Sequence, residues 1–321
     1  GVPQDFALAV ECYLKAASAG LEHAQYNLGV MYQKGQGVGQ DYRQAAYWYE
    51  RAAEQGYAAA QYNLGWLYAK GQGVHADVQQ AMHWFSKAAE QGDAGAQNNL
   101  GMMYETGKGV PQDFRQAIHW YRKAAEQGYA RAQFNLPLRY DNAQGVPLDQ
   151  QQAISWFRKA AEQGYAPAQF NLALRFDKGQ GVPPSGQKAI SWYRRAAEQD
   201  HASSQFNLAL IYDSGSHDVE RDEVLALQWF MKAAGQGHAG AQDNLGLRYE
   251  HGQGVAQDFE QAHGWYIKAA TQGFASAQYH LGLLCDAGSG VERDPLEAIA
   301  WFEKAAEQNH VRAQFELGLR F

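Results

Sequence analysis

Eleven histidines are the residues of this chain whose type most readily suggests catalytic or metal chemistry. Histidine binds metals and moves protons near neutral pH, but a zinc site needs set spacings, such as H-E-x-x-H or a Cys/His cluster. The sequence contains neither pattern. His83 and His119 stand 36 residues apart at equivalent positions, and His251 and His263 flank a glycine turn. Each pair supplies at most half of the ligands of a metal site. We therefore predict no metal site.

A glycine-rich segment and scattered serines also fail the criteria for known reaction centres. Residues 35–39 read GQGVG, whereas a phosphate-binding loop needs G-x-x-x-x-G-K-[ST] after a strand, and the dinucleotide fingerprint needs G-x-G-x-x-G. These glycines follow a predicted helix and recur in most repeats, which indicates a turn. There is no G-x-S-x-G elbow, and Ser155 and Ser191 have no suggested base. The sequence predicts no catalytic residue, no cofactor and no enzymatic activity.

Charged side chains at fixed positions suggest binding chemistry instead. Six consecutive acids stand five residues after a recurring leucine: Glu105, Asp141, Asp177, Asp213, Glu250 and Asp286. They fall near predicted helix C-termini, where the helix dipole disfavours negative charge, so local helix stability does not explain them. They form either an acidic stripe on a binding face, which would attract basic segments, or a solvated acidic edge. The formal net charge of −7 argues against nucleic acid as a partner.

Arginine replaces an apolar residue at another recurring position. Three residues after the same leucine, most repeats are apolar, but four carry Arg139, Arg175, Arg248 and Arg320. Such an arginine either pairs with a carboxylate or lies along the surface with its stem packed. We expect pairs between neighbouring repeats, such as Arg175 with Asp141.

These positions recur because the chain repeats itself with a period of 36 residues. Cys12 stands one period before the first of eight regularly spaced tryptophans: Trp48, Trp84, Trp120, Trp156, Trp192, Trp229, Trp265 and Trp301. In step with them, the phrase AQYNLG at 24–29 recurs with variations as far as 313–318. A fixed period between 20 and 50 residues is typical of a solenoid.

Each repeat is predicted to contain two helices. Residues 58–68 have apolar side chains at helical spacing and end at Lys70 and Gly71, a basic residue and the usual C-terminal glycine. After a glycine turn, Asp77 is expected to cap a second helix that stops at Gly92. Neither helix can bury its apolar stripe alone, so the pairs must stack. Each tryptophan and the aromatic residue after it are predicted to fill the space between repeats.

The repeated motifs are A-x-A-Q-[YF]-N-L-G-x-x-Y, G-x-G-V and A-x-x-W-[FY]-x-[KR]-A-A-E-Q-G. They resemble the Sel-one-like repeat (SLR) family, a branch of the tetratricopeptide-like α/α solenoids. The resemblance implies an all-α, right-handed α/α solenoid superhelix of about nine 36-residue helix-turn-helix repeats. We predict one domain over 1–321, with repeats at about 21–56, 57–92, 93–128, 129–164, 165–200, 201–237, 238–273 and 274–309, and partial repeats at 1–20 and 310–321.

For function, the resemblance implies a bacterial scaffold or adaptor that binds a protein or peptide, with basic segments as candidates, in a concave groove lined by the first helices. It favours a periplasmic or secreted location. Two alternatives stay open: an immunity protein that neutralises a toxin, and an envelope scaffold without a specific ligand. No apolar run is long enough to span a membrane, and Cys12 and Cys285 are too far apart in the stack for a disulfide. Because both ends fall inside a repeat, we expect a fragment of a longer protein.

The partner-binding residues are expected where the copies differ. Trp66 lies outside the tryptophan spacing, Pro137 should kink its helix, and an extra residue within 215–219 lengthens one turn. Two residues before the leucine most repeats are aromatic, and we expect these rings to pack; Asn98 and Asp243 break that row. The candidate binding residues are Tyr62, Trp66, Asn98, Phe134, Arg139, Asp141, Arg175, Asp177 and Asp213.

Overall fold

The structure is a computed structural model that describes residues 5–215 and 219–320, and in these ranges the regular elements are eighteen α-helices. We number them α1 (Phe6–Ser18), α2 (Glu22–Lys34), α3 (Tyr42–Glu54), α4 (Ala58–Lys70), α5 (Val78–Glu90), α6 (Ala94–Thr106), α7 (Phe114–Glu126), α8 (Ala130–Asp141), α9 (Gln150–Glu162), α10 (Ala166–Lys178), α11 (Gly186–Ala197), α12 (Ala202–Ser214), α13 (Glu223–Gly235), α14 (Ala239–His251), α15 (Phe259–Thr271), α16 (Ala275–Ala287), α17 (Pro295–Glu307) and α18 (Val311–Gly318).

Even-numbered helices are the first of each repeat, called A helices here, and odd-numbered helices are the second, called B helices. The chain forms two compact halves, Gly1–Gln163 and Gly164–Phe321. Each half is a stack of A and B helices, so the predicted all-helical solenoid is confirmed. The assignment of both halves to one domain stays a prediction, and most of the lengthened turn, residues 216–218, lies outside the described residues.

Aspartates and left-handed residues set where the helices begin and end. Before α5, the Asp77 carboxylate accepts hydrogen bonds from the amides of Gln79 and Gln80, as predicted. The other B helices with an aspartate cap begin after Asp5, Asp41, Asp113, Asp149, Asp222, Asp258 and Asp294. The helix predicted to end at Lys70 does so, because Gly71 follows in the left-handed region with φ of 66°.

Three A helices of the second half begin with a histidine cap. The Nδ1 atom of His238 accepts a hydrogen bond from the amide of Ala241 at 3.2 Å, and His201 and His310 cap α12 and α18 in the same way. This geometry requires Nδ1 without a proton. Burial lowers the pKa of His238, which favours the neutral ring that the cap needs.

Within a repeat, the A and B helices run antiparallel around a contact between a small residue and an aromatic ring. Gln25 near the start of α2 accepts a hydrogen bond from Gln55 just after the end of α3. The start of one helix thus lies beside the end of the other, so the two helices run in opposite directions. Midway along such a pair, a Cβ atom on Gly101 would lie 2.6 Å from Cδ1 of Tyr121, too close for packed atoms. The small residue at this position therefore allows the two helices to approach closely. Ala173 at this position in α10 shows that one methyl group can be accommodated.

The aromatic residue after each tryptophan fills the core, whereas most tryptophans form its outer wall. Fully buried rings include Tyr49, Tyr121, Phe157, Tyr193, Phe230, Tyr266 and Phe302. Trp48 and Trp84 are buried and the later tryptophans half-buried. As predicted, tryptophans pack against core residues of the helices before them, as shown by Trp48, Trp84, Trp120, Trp156 and Trp301. From Trp84 onward a lysine or arginine three residues later covers the indole; Lys304 Nζ, for example, lies 3.8 Å from the Trp301 ring centre.

A buried glutamine near the start of most A helices joins three successive helices. Gln97 in α6 donates from Nε2 to the carbonyl of Ala89 in α5 at 3.0 Å, and its Oε1 accepts from Gln127, the C-cap of α7, at 2.7 Å. The same pair of bonds occurs at Gln25, Gln61, Gln133, Gln205, Gln242 and Gln278. Both glutamines belong to the repeated motif, but the sequence alone does not indicate these hydrogen bonds between helices.

Pro137 changes the end of α8 rather than interrupting it. The helix continues through the buried Pro137 to Asp141, although proline provides no amide to bond the carbonyl of Gln133. It ends at Asn142 instead of a left-handed glycine, and the left-handed conformation passes to Ala143, with φ of 51°. The predicted kink stays a prediction.

Replacing Gln97 by methionine tests the glutamine bonds. Methionine keeps the length of the side chain but leaves the Ala89 carbonyl and the Gln127 amide without this partner. We expect a loss of about 1–3 kcal/mol in the free energy of unfolding, measured by urea denaturation. Gln116→Met, at an exposed position of α7, is the control and should change it by less than about 0.5 kcal/mol. Equal effects of the two variants would contradict the role assigned to Gln97.

Replacing His238 by asparagine, a cap that does not titrate, tests the histidine caps. Since burial lowers the pKa of His238 in the folded state, its contribution is complete above the unfolded pKa of about 6.5. It is lost as the pH falls through the lower, folded pKa. We expect the variant to lose less stability than the parent between neutral and mildly acidic pH, by up to about 1 kcal/mol. His83→Asn, an exposed site on α5, should leave the pH dependence unchanged.

Candidate functional site

One face of each A helix stays at the surface after the B helix has covered the other. This A-helix face comprises the positions five, two and one before the recurring leucine and two, five and six after it. At the position two after the leucine, the A helices from α2 to α16 carry an apolar residue that is exposed or half-buried: Val30, Trp66, Met102 and Leu138 in the first half, and Leu174, Leu210, Leu247 and Leu283 in the second. Of this row, only Trp66 is among the residues predicted from sequence. Comparing the same position in all repeats would reveal the whole row.

Beneath the apolar row, aromatic rings pack as predicted. Phe206 in α12 lies 6.0 Å from Phe230 of the B helix that follows and 4.5 Å from His238 at the start of the next A helix. Equivalent packing is made by Tyr26, Phe170 and Tyr279. These rings support the surface from below and leave only part of their edges for a partner.

The two exceptions in the aromatic row are buried and bonded to the next repeat. Asn98 accepts a hydrogen bond from Nδ2 of Asn135 at 3.0 Å, and Asp243 lies 2.9 Å from Nδ1 of His280. Asn98 and Asp243 are each 4% exposed. A buried polar group without a partner would cost several kcal/mol, so these pairs are parts of the stack.

Acidic residues on this face are bonded to tyrosines of the B helices. Glu105 accepts a hydrogen bond from the Tyr121 hydroxyl, and Glu250 accepts one from Tyr266, both at 2.6 Å. Burial raises the pKa of Tyr266, and its hydrogen bond to Glu250 raises it further, so the hydroxyl keeps its proton and can donate. Local helix stability does not explain these two acids, as inferred; their stabilising partners lie on another helix.

Arginines bridge neighbouring A helices by pairing with the same acidic positions. Nη1 of Arg139 in α8 lies 2.6 Å from Glu105 in α6. Arg248 in α14 pairs with Asp213 in α12, and its guanidinium lies 5.1 Å from the ring centre of Phe230. Pairing between neighbouring repeats is confirmed for these residues and for Arg320 with Asp286. Arg175 and Asp141 belong to different halves, and their pairing stays a prediction.

Pockets lie between A helices at two places where an apolar residue stands in the arginine position. Ile211 occupies the arginine position in α12, and a pocket of about 280 Å³ lies between α10 and α12. Leu67 occupies it in α4, and a pocket of about 480 Å³ is lined by residues of α2 and α4. Pockets thus lie near two of the A helices that lack the arginine.

The nine predicted binding residues divide into two groups. Asn98, Arg139 and Arg175 are 4%, 7% and 7% exposed, so they present almost no surface to a partner. The other six are half-buried on the A-helix face: Tyr62, Trp66, Phe134, Asp141, Asp177 and Asp213. Their part in binding stays a prediction.

Other reactive groups do not converge in the described ranges. No cluster of three or more His, Cys, Asp or Glu side chains there could hold a metal ion, and no helix there is long and apolar enough to cross a membrane. Both cysteines are free, as predicted. Burial raises the pKa of the Cys285 thiol to about 11, so this group is protonated and poorly nucleophilic near neutral pH.

Replacing Arg248 by methionine tests the bridging pairs. The side chain is 3% exposed and Asp213 is 32% exposed, so the variant removes one partner of a largely buried pair. We expect a loss of about 2–3 kcal/mol in the free energy of unfolding. Arg221→Met is the matched control, because its pair with Glu223 is exposed on both sides; it should change stability by less than about 0.5 kcal/mol. A loss in Arg248→Met no larger than in the control would contradict the pairing.

Comparisons with known proteins place these features in a family. The model of the Sel1 repeat matches residues 1–21, 22–57, 58–93, 94–129, 130–165, 166–201, 202–238, 239–274 and 275–310. A search of curated proteins found no match.

Two solved structures resemble the chain over almost its whole length. A protective antigen present in uropathogenic Escherichia coli strains, which displays an SLR fold, is 41% identical, with a TM-score of 0.81 over 99% of this chain and 68% of that one. A Sel1 repeat protein from Oxalobacter formigenes is 34% identical, with a TM-score of 0.74 over 100% of this chain and 95% of that one. The nine matched repeats and these two likenesses show that the chain belongs to the Sel1 repeat family.

Proposed function

We propose that the chain is a scaffold whose A-helix face binds a segment of another protein. Sel1 repeat proteins are generally protein-interaction scaffolds. The observation that carries the proposal for this chain is the apolar row, which includes Met102 and Leu210 at 46% and 38% exposure. Apolar side chains that recur in register along a surface mark interaction sites.

The chemistry beside this row suits a polypeptide ligand. Half-buried asparagines such as Asn63, Asn99 and Asn207 stand one position before the leucine, in α4, α6 and α12. Their amides carry both donors and acceptors, which matches the backbone groups of an extended segment. A surface of this kind gives many small contacts rather than one deep pocket.

The B helices offer a poorer surface for the same partner. Their outer face carries charged side chains, and from Trp84 onward a lysine or arginine covers the tryptophan, as for Lys268 over Trp265 at 4.0 Å. Binding there would require moving these cations off the rings, at a cost of roughly 0.5–1 kcal/mol each. The A-helix face needs no such rearrangement.

Charged substitutions in the apolar row test the proposal. Met102→Glu and Leu210→Glu each put a carboxylate on the A-helix face, and Met231→Glu, at a 41% exposed site on B helix α13, is the matched control. We expect each A-face variant to capture a specific partner from a lysate of the source organism about tenfold less well than the parent, by quantitative mass spectrometry. The control should capture it normally.

The experiment can contradict the proposal, and folding of the variants is checked separately. If all three variants capture the same proteins equally, the A-helix face is not the binding surface and the proposal fails. Circular dichroism and urea denaturation of the variants ensure that a lost partner does not reflect lost folding. The two alternatives, an immunity protein and an envelope scaffold without a specific ligand, stay predictions.

A further inference from the structure

The pocket between α2 and α4 lacks the charges that the corresponding positions of other repeats carry. Five residues after the leucine, every A helix from α6 to α16 has an acid, but α2 has Gln33 there. Three residues after the leucine, where Arg139 of α8 reaches Glu105 of α6, α4 has Leu67. The space of about 480 Å³ is lined by residues of α2 and α4. Val30 of the apolar row is among them, so the pocket opens on the A-helix face.

Gln33 keeps the tyrosine bond of the acids but has a donor where they have a second oxygen. Glu105 accepts from Tyr121 with one carboxylate oxygen and pairs with Arg139 through the other. Gln33 accepts from the Tyr49 hydroxyl with Oε1 at 2.5 Å, and burial raises the pKa of Tyr49, so the hydroxyl keeps the proton that it donates. The Nε2 of Gln33 thus takes the place of the oxygen that binds a guanidinium in α6. Because an amide nitrogen is a donor, this place suits an anion instead of a cation.

Three further donors line the same pocket. Lys34, the last residue of α2, is exposed and carries a positive charge. Tyr42, at the start of α3, accepts from Nε2 of Gln40 at 3.3 Å, so its own hydroxyl hydrogen is left for another acceptor. Tyr26 of α2 keeps its proton because burial raises its pKa, and it can donate as well. A carboxylate in this space would meet several hydrogen-bond donors and one positive charge.

The surroundings of the pocket oppose an anion only weakly. Of the described residues that line it, Lys34 is charged and none is acidic. Asp41 stands between two lining residues in the sequence, but its carboxylate accepts bonds from two amides at the start of α3. Burial mainly raises the pKa of Tyr26, and the charge of Asp93 adds to the rise; this carboxylate is likewise bonded to an amide of α6. A helix N-terminus offsets part of the negative charge of each aspartate.

We propose that this pocket receives an acidic side chain from the bound protein segment. The proposal rests on the proposed function and adds the chemistry of the partner: a carboxylate flanked by apolar residues, at the α2 end of the A-helix face. The Nε2 of Gln33 donates to the incoming carboxylate in the place where Glu105 binds Arg139, and Lys34 supplies the opposite charge. Hydrogen bonds to an ionised acceptor are stronger than those between neutral groups, which favours glutamate over glutamine.

The test uses the full chain and two blocked peptides of defined chemistry. The probe is acetyl-Leu-Glu-Leu-amide, and its control is acetyl-Leu-Gln-Leu-amide, which has nearly the same shape without the charge. Binding is followed by the methyl signals of Val30 and the side-chain amide signals of Gln33 and Asn63. We expect the glutamate peptide to bind about tenfold more tightly, with an advantage that shrinks at high salt. Equal binding of both peptides, or no glutamate-dependent shift up to millimolar concentration, would overturn the proposal.

A third peptide separates a side-chain carboxylate from the carboxylate at the end of a chain. Acetyl-Leu-Gln-Leu with a free carboxyl group carries its one negative charge at the C-terminus. We expect it to bind no more tightly than its amide form. If it binds as tightly as the glutamate peptide, the assignment of the pocket to an acidic side chain is wrong.

Substitutions in the chain then locate the site. Gln33→Glu recreates the arrangement of Glu105 with its tyrosine, so we expect the variant to fold and to bind the glutamate peptide at least about tenfold less well. Gln116→Glu, at an exposed position of α7, adds the same charge elsewhere and should leave binding unchanged. Lys34→Met should weaken the glutamate peptide but not the glutamine peptide. Unchanged binding in either Gln33→Glu or Lys34→Met would refute the inference, as would an equal loss in Gln116→Glu.

Failure of this inference can be told apart from failure of the proposed function. If Met102→Glu and Leu210→Glu lose the natural partner while Gln33→Glu keeps it at full affinity, the A-helix face binds a partner but the pocket does not receive its acid. If the glutamate peptide binds beside Val30 while Met102→Glu and Leu210→Glu capture every partner normally, the pocket is a carboxylate site and the scaffold proposal fails.

Discussion

The structure depends on a buried glutamine that bonds the helix before its own and the end of the helix after it. In water such a bond contributes little net stability, but inside the stack an unpaired amide would cost about 1–3 kcal/mol. Gln97 therefore positions α6 against both α5 and α7, through Ala89 and Gln127. With the ends aligned in this way, Gly101 meets Tyr121 at the middle of the pair, and the ring is fully buried.

Register within each half also explains why the surface has rows. One sequence position places Met102 beside its equivalents on neighbouring A helices, so a modest apolar preference becomes a continuous strip. The same register brings Arg248 to Asp213, 35 residues away, and a pocket lies beside Ile211, which stands in the arginine position of α12. The residue type at this one position thus decides whether an arginine bridges two A helices there, as Arg248 does.

Much of the local structure could be predicted from sequence because its causes are local. Asp77 caps the amides that follow it directly, and Gly71 ends its helix because it adopts φ above zero without a clash. The site was harder to predict. Glu105 was judged by its own helix dipole, although Tyr121 and Arg139, far along the chain, are what stabilise it. The tryptophans pack against the repeat before them, as predicted, but their spacing alone does not show that most of them stay half-buried while the next aromatic residue is fully buried.

The sequence by itself determined the repeat, the two helices of each repeat, their caps and the family, since these follow from spacing and from contacts a few residues long. Tertiary structure alone decided which side of each residue faces solvent and which distant groups meet. It buried Arg139 and Asn98, which the sequence had suggested for a binding face, and it left Leu210 exposed. The reason is that the exposure and charge pairing of a side chain depend on residues about one repeat away in the sequence, such as Asp213 for Arg248, 35 residues apart. Helix packing determines which of these distant residues come into contact.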